Sequence, residues 1–145
     1  MNFGMDKKEM KYMENLLVNM FDFFENTNWK YIKIKLLRNG NYVVQNLNRL
    51  YGVLNMDGSI LFQFEYKNIK HLDNGNYEVQ DKNDLWGVLD KNGKVLIPVE
   101  YKFIAIKFNE DLEIVMYILG DCNNKYIKID KNFDIIDINS KLVIQ

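Results

Sequence analysis

The chain has 145 residues, of which 48% are hydrophobic and 14% aromatic, and its formal net charge is −1. That apolar content is enough for a buried core and too much for a disordered chain, and the near-neutral total gives no overall attraction to nucleic acid or membrane. A lone cysteine, Cys122, excludes an intrachain disulfide, and His71, Ser59, Ser140 and Thr27 are the only histidine, serines and threonine, so nucleophilic and general-base chemistry has few groups to draw on.

No basic-then-apolar leader opens the chain, and no apolar run approaches the roughly 18 residues of a membrane span. A cytoplasmic protein without a membrane partner is expected. The first predicted element is a helix from about Asp6 to Glu25. Asp6 followed by Glu9 has the spacing of a reciprocal cap. Met10, Met13, Leu17, Met20, Phe21 and Phe24 then recur at three- and four-residue steps, an apolar stripe expected to pack on the rest of the fold. Asn26-Thr27-Asn28 should stop the helix, because short polar side chains compete for its backbone hydrogen bonds.

From Trp29 the pattern turns to strands, and it repeats every 35 residues. Asn39-Gly40-Asn41-Tyr42 maps onto Asn74-Gly75-Asn76-Tyr77, Leu50-Tyr51-Gly52-Val53-Leu54 onto Leu85-Trp86-Gly87-Val88-Leu89, and Glu65-Tyr66-Lys67 onto Glu100-Tyr101-Lys102. Each block reads as a strand from the Tyr (Tyr31, Tyr66), an Asn-Gly turn, a second strand, a polar loop, an aromatic-Gly strand, a second Gly turn and a return strand. The return strands are expected over Ile60–Phe64 and Lys94–Pro98.

A third block is degraded. Lys125-Tyr126-Ile127-Lys128-Ile129-Asp130 resembles Leu85–Asp90 at an offset of 40, which implies a five-residue insertion near Asn109–Asn124. Its glycines are replaced: Glu110 stands for Gly75, Phe133 for Gly93 and Ile127 for Gly87. Terminal copies in stacked arrays are often atypical because they cap an exposed edge. The predicted organisation is a capping helix over 1–28, repeats over 29–63, 64–98 and 99–138, and a tail over 139–145. Glycine inside a strand weakens it unless something must approach closely. The aromatic-Gly pairs therefore predict a ring or a backbone lying against Gly52 and Gly87, with Tyr51, Trp86, Tyr66 and Tyr101 in the core.

Trp86-Gly87-Val88-Leu89-Asp90-Lys91-Asn92-Gly93 through Pro98, with Tyr101 to Ile104 following, resembles the WG-repeat family, and Tyr51–Gly58 is a softer copy. The resemblance implies β-hairpin repeats in a bacterial protein and a binding role, and it carries no catalytic residues with it; a bacterial or phage source is expected. The fold expected is mainly β: an antiparallel meander of about ten short strands in a curved or partly closed sheet, with one N-terminal amphipathic helix.

Several smaller patterns read as ordinary structure. Asp90-Lys91-Asn92-Gly93 resembles the start of a calcium loop but lacks the later oxygen ligands, so a hairpin turn is expected. His71 has no His or Cys near it in sequence, and Cys122 sits in a polar loop. The cluster Glu110-Asp111-Leu112-Glu113 is read as a solvated loop, with a cation or a basic partner as the other reading. No cofactor and no metal site is expected.

Charge is uneven along the chain. Residues 29–72 carry Lys30, Lys33, Lys35, Arg38, Arg49, Lys67 and Lys70 against two acids, a balance of +5, while residues 73–145 carry −4. Those seven cations are the interaction candidates. The function expected is a non-enzymatic module that binds another protein. The alternative is a stand-alone inhibitor, of the anti-CRISPR, anti-restriction or toxin-immunity type, meeting a nucleoprotein or RNA through the basic residues.

Overall fold

The computed structural model describes residues 6–27 and 31–139. Asn28, Trp29, Lys30 and the tail from Ser140 lie outside the described residues, as do the side chains of Met20, Phe21 and Phe24. The chain divides into two compact units after Phe64.

The first unit opens with α1, Lys7–Thr27. Its start is the reciprocal cap expected from sequence: the Asp6 carboxylate accepts from the Glu9 N–H at 2.8 Å, and the Glu9 carboxylate accepts from the Asp6 N–H at 3.3 Å. Each bond satisfies a donor that helix geometry leaves open. The stripe behaves differently from the expectation. Met10, Met13 and Leu17 are 49%, 42% and 55% exposed, and the buried apolar side chain among the described helix residues is Leu16.

Strands β1 (Tyr31–Leu36), β2 (Tyr42–Asn46), β3 (Tyr51–Leu54) and β4 (Ile60–Tyr66) follow as one antiparallel sheet in chain order, β4 reaching two residues past the unit boundary. Tyr42, Val44 and Leu54 form its core, with Tyr31, Ile34, Leu36 and Phe64 packed around them. Tyr31 and Phe64 stack with ring centroids 5.5 Å apart.

The second unit holds two more four-stranded sheets. One is β5 (Asn68–His71), β6 (Tyr77–Gln80), β7 (Trp86–Leu89) and β8 (Val95–Tyr101). The other is β9 (Phe103–Phe108), β10 (Ile114–Gly120), β11 (Tyr126–Asp130) and β12 (Ile135–Asn139). Among the described residues the meander is thus 12 strands in three open sheets, rather than about ten strands in one. Tyr66 and Tyr101 end return strands instead of starting new ones, and a single residue, Lys67 or Lys102, precedes the next strand. Those two lysines donate their backbone N–H groups to Gln80 O and Gly120 O at 2.8 Å, which keeps the pairing intact through each change of sheet.

Val88 and Ile97 of the middle sheet meet Tyr117, Leu119 and Ile129 of the last in one buried cluster. Each such aliphatic side chain contributes roughly 1.5–3 kcal/mol when taken out of water. The fully buried tyrosines are Tyr42, Tyr77 and Tyr117, at 1%, 0% and 0% exposure. Tyr51, Trp86, Tyr66 and Tyr101, expected in the core, are only half-buried. Tyr117 shows where the insertion lies. It pairs with Ile106 as Tyr77 pairs with His71, so the hairpin β9–β10 is longer by two residues on β9 and three on β10. Unequal additions require a bulge, and the register shifts between Ile114 and Met116.

One turn is used throughout. At Leu37, Asn46, Asn55, Leu72, Asp81, Asp90, Asn109, Asp121 and Asp130, the N–H of the first residue bonds the carbonyl of the fifth, at 2.8–3.0 Å. The fourth residue is left-handed in all of them: Gly40, Gly58, Gly75 and Gly93, but also Arg49, Asp84, Leu112, Asn124 and Phe133. Asn39 and Asn74, before the glycines, are not left-handed, so the Asn-Gly pairs do not make a two-residue hairpin loop. The residue replacing Gly75 in the third copy is Leu112, with φ 62°, and not Glu110, because two of the extra residues precede this turn. At Asn46, Asp81, Asp90, Asn109, Asp121 and Asp130 the side chain of the first residue also holds the turn; Asp81 Oδ1, for example, accepts from Asn83 N at 2.9 Å and Leu85 N at 3.0 Å.

Candidate functional site

Glycine at 87 is explained by strand β8. Trp86 pairs with Tyr101 and Val88 with Ile97, so Pro98, Val99 and Glu100 stand opposite Gly87 alone. A Cβ there would lie 2.6 Å from Val99 Cγ2 and 2.7 Å from the Ile97 carbonyl oxygen. Gly52 has the same need, 2.7 Å from the Phe62 carbonyl oxygen and 3.1 Å from the Phe64 ring. The bulge also accounts for Pro98, which stands inside β8 and does not end the strand: a residue without an N–H is tolerated where ladder bonds are already interrupted.

This bulge and the sheet change beside it build a corner. Glu65, Tyr66, Asp81, Lys82, Asn83 and Val99 line a groove of about 390 Å³. Burial, then the Glu65 charge and hydrogen bond, then Asp81, push the Tyr66 phenol up to about 12. The next repeat has the same parts: Tyr101 is raised by burial, then by Glu100 and Asp121. In the sequence the Glu-Tyr-Lys triplet shows only as a recurring position, and nothing in it says that Asp81 and Asp121 close on the tyrosine.

Of the described basic residues, Lys33, Lys35, Arg38 and Arg49 belong to the first unit and Lys67 and Lys70 to the second. Lys33 and Lys35 lie exposed on β1, two residues apart and opposite Gln45 and Val43. Arg38 and Arg49 sit in the turns at opposite ends of β2, and the Arg49 carbonyl accepts from Gln45 Nε2 at 3.0 Å. In the second unit Lys67 makes an ion pair with Asp84. Lys70 lies 5.5 Å from the centre of the Trp86 ring and across the strands from Glu78. Lys30 is outside the described residues.

Glu78 is a residue that sequence reasoning passed over. It is 7% exposed in the middle of β6, where the neighbouring repeats place Val43 and Ile118. Burial raises its pKa, and the Lys70 charge pulls partly the other way. The same buried region holds Tyr117, whose phenol is raised by burial and by the Glu78 charge. The Asn74 side-chain amide donates to the Tyr117 hydroxyl at 3.3 Å. His71 packs on Tyr77 with ring centroids 4.8 Å apart, and Cys122 is exposed in the β10–β11 turn. Asp90-Lys91-Asn92-Gly93 is a hairpin turn in which Asp90 Oδ1 accepts from Asn92 N and Lys94 N, both at 2.8 Å. Among the described residues no helix is long and apolar enough to cross a membrane.

Two stretches, residues 51–86 and 86–116, match the family model described as a WG containing repeat. The matched unit runs from one aromatic-Gly strand to the next, so the first copy takes β3 and β4 from one sheet and β5 and β6 from the following one. No curated protein matches the chain.

Proposed function

As the chain belongs to the WG-repeat family through its two copies between residues 51 and 116, we propose that it is a non-enzymatic binding module whose partner is another protein. The observation that carries this reading is the apolar side of α1. Met10, Met13 and Leu17 fall at the three- and four-residue steps of one helical stripe, and they are 42–55% exposed. Contiguous apolar surface of this kind marks a contact site, and an amphipathic helix laid in a partner's groove is a recurring form of it. The small supply of Ser, Thr, Cys and His in the sequence favours binding over covalent chemistry.

The test compares tagged wild-type protein with a Met13→Lys, Leu17→Lys variant, each crosslinked in the source cells and identified by mass spectrometry. The reading expects a protein captured by the wild type and lost from the variant, with thermal unfolding unchanged. Equal capture by both forms would remove α1 from the interaction.

A further inference from the structure

The five extra residues of the third repeat lengthen β9 and β10, and no other hairpin in the described residues is extended in this way. The extension carries Leu112, Glu113 and Ile114 to one wall of a groove of about 370 Å³. Asp73 and Asn74, from the β5–β6 turn, form another wall, and Lys131, from the β11–β12 turn, contributes to the third. The site therefore gathers three hairpin turns that are far apart in sequence. It is distinct from the Tyr66 corner, which shares none of these residues.

The lining has a definite chemistry. Two acidic residues, Asp73 and Glu113, and one basic residue, Lys131, line it, and Glu110 and Asp111 add acidic charge on the same turn as Glu113. Leu112 and Ile114 supply apolar surface beside that charge. Leu112 is 73% exposed, on a left-handed backbone at φ 62°. Asn74 is fixed in place: its Oδ1 accepts from Asn76 N at 3.1 Å while its amide donates to Tyr117. A wall that is already ordered loses little freedom on binding.

We propose that this groove binds a peptide segment of the protein partner through an arginine flanked by apolar side chains. The aliphatic stem of arginine lies against Leu112 and Ile114, and its guanidinium reaches the carboxylates of Asp73 and Glu113. A carboxylate pair with apolar flanks suits that side chain, which is at once a long hydrocarbon and a five-donor fork. The volume is near the lower end of what small ligands occupy, which fits a few side chains and not a folded surface. The proposal rests on the reading of the partner as a protein, and it specifies a contact separate from α1.

The experiment titrates the full chain, labelled with nitrogen-15, with acetyl-Leu-Arg-Leu-amide and with acetyl-Leu-Glu-Leu-amide. Amide shifts at Asn74, Leu112, Glu113 and Lys131 are expected with the arginyl peptide and not with the glutamyl one. Glu113→Lys should weaken binding by roughly tenfold, and Lys131→Glu should strengthen it several-fold, because each changes the charge balance of the lining. The second variant guards against reading a misfolded protein as lost binding. No shift in these residues, equal binding of both peptides, or weaker binding by Lys131→Glu overturns the proposal. Loss of peptide binding in Glu113→Lys with α1-dependent capture intact would locate the peptide site without touching the function proposed above. Capture failing while the arginyl peptide still binds would overturn the role of α1 alone.

Discussion

Phe133 stacks on Tyr117, with ring centroids 5.3 Å apart and planes 22° from parallel. The backbone that presents Phe133 is left-handed, at φ 67°, where the equivalent turn of the preceding repeat has Gly93. The third repeat thus exchanges an easy turn for a ring over its central tyrosine. Left-handed geometry costs a side-chain-bearing residue roughly 1–2 kcal/mol, and aromatic burial in this position offsets it.

That exchange orders two variants. Phe133→Ala removes the ring but keeps a Cβ in the left-handed position, whereas Phe133→Gly removes the ring and the strain together. Both are expected to destabilise, by about 1–3 kcal/mol for a half-buried aromatic, with Ala the worse of the two. Denaturant unfolding measures the difference; an alanine variant more stable than the glycine one would show that the turn is not strained.

Leu112 has the same backbone without the compensation, since its side chain is 73% exposed. Leu112→Gly should therefore stabilise the protein, by about 0.5 kcal/mol once the added freedom of the unfolded chain is subtracted. A rise in melting temperature is the expected result, and a fall would mean that Leu112 holds the β9–β10 hairpin through packing.

Gly87→Ala should be far more costly than its size suggests. The new Cβ meets the Val99 side chain at 2.6 Å and a backbone carbonyl at 2.7 Å. Overpacking of this kind costs typically about 1–3 kcal/mol. Adding Val99→Gly relieves the side-chain clash but not the carbonyl, so the double variant should recover only part of the loss.

Glu78 predicts a pH dependence. Its pKa is raised above 4.5 in the folded chain by burial, so the folded state favours the protonated form. The stabilisation that this supplies is complete below the unfolded value and is lost as pH rises through the raised folded value. Glu78→Gln should be more stable than the wild type at neutral pH, with the gap closing in acid. Glu78→Val, which installs the residue type of the first repeat, should behave the same way. A gap independent of pH would show that Lys70 fully compensates the buried charge.

The repeat and the turn chemistry were legible in the residues themselves. A 35-residue offset, Asp-x-x-Glu before an apolar stripe, and Gly or Asx at fixed places are local signals, and local backbone preference is strong enough to act on them. The phase of the sheets was not legible. Glu65-Tyr66-Lys67 reads as the start of a strand, yet Tyr66 ends one, because the change of sheet depends on which strand Lys67 bonds to.

The sequence by itself determined the class of fold, its repeat and the start of its helix, all carried by near neighbours along the chain. Only the tertiary structure decided that Glu78 is buried, that Met10, Met13 and Leu17 are not, that Leu112 and not Glu110 takes the glycine position, and that Asp73, Glu113 and Lys131 share a groove. Burial and convergence depend on how sheets and hairpins from distant parts of the chain pack together, and a five-residue change in one hairpin is enough to move a side chain from one role to another.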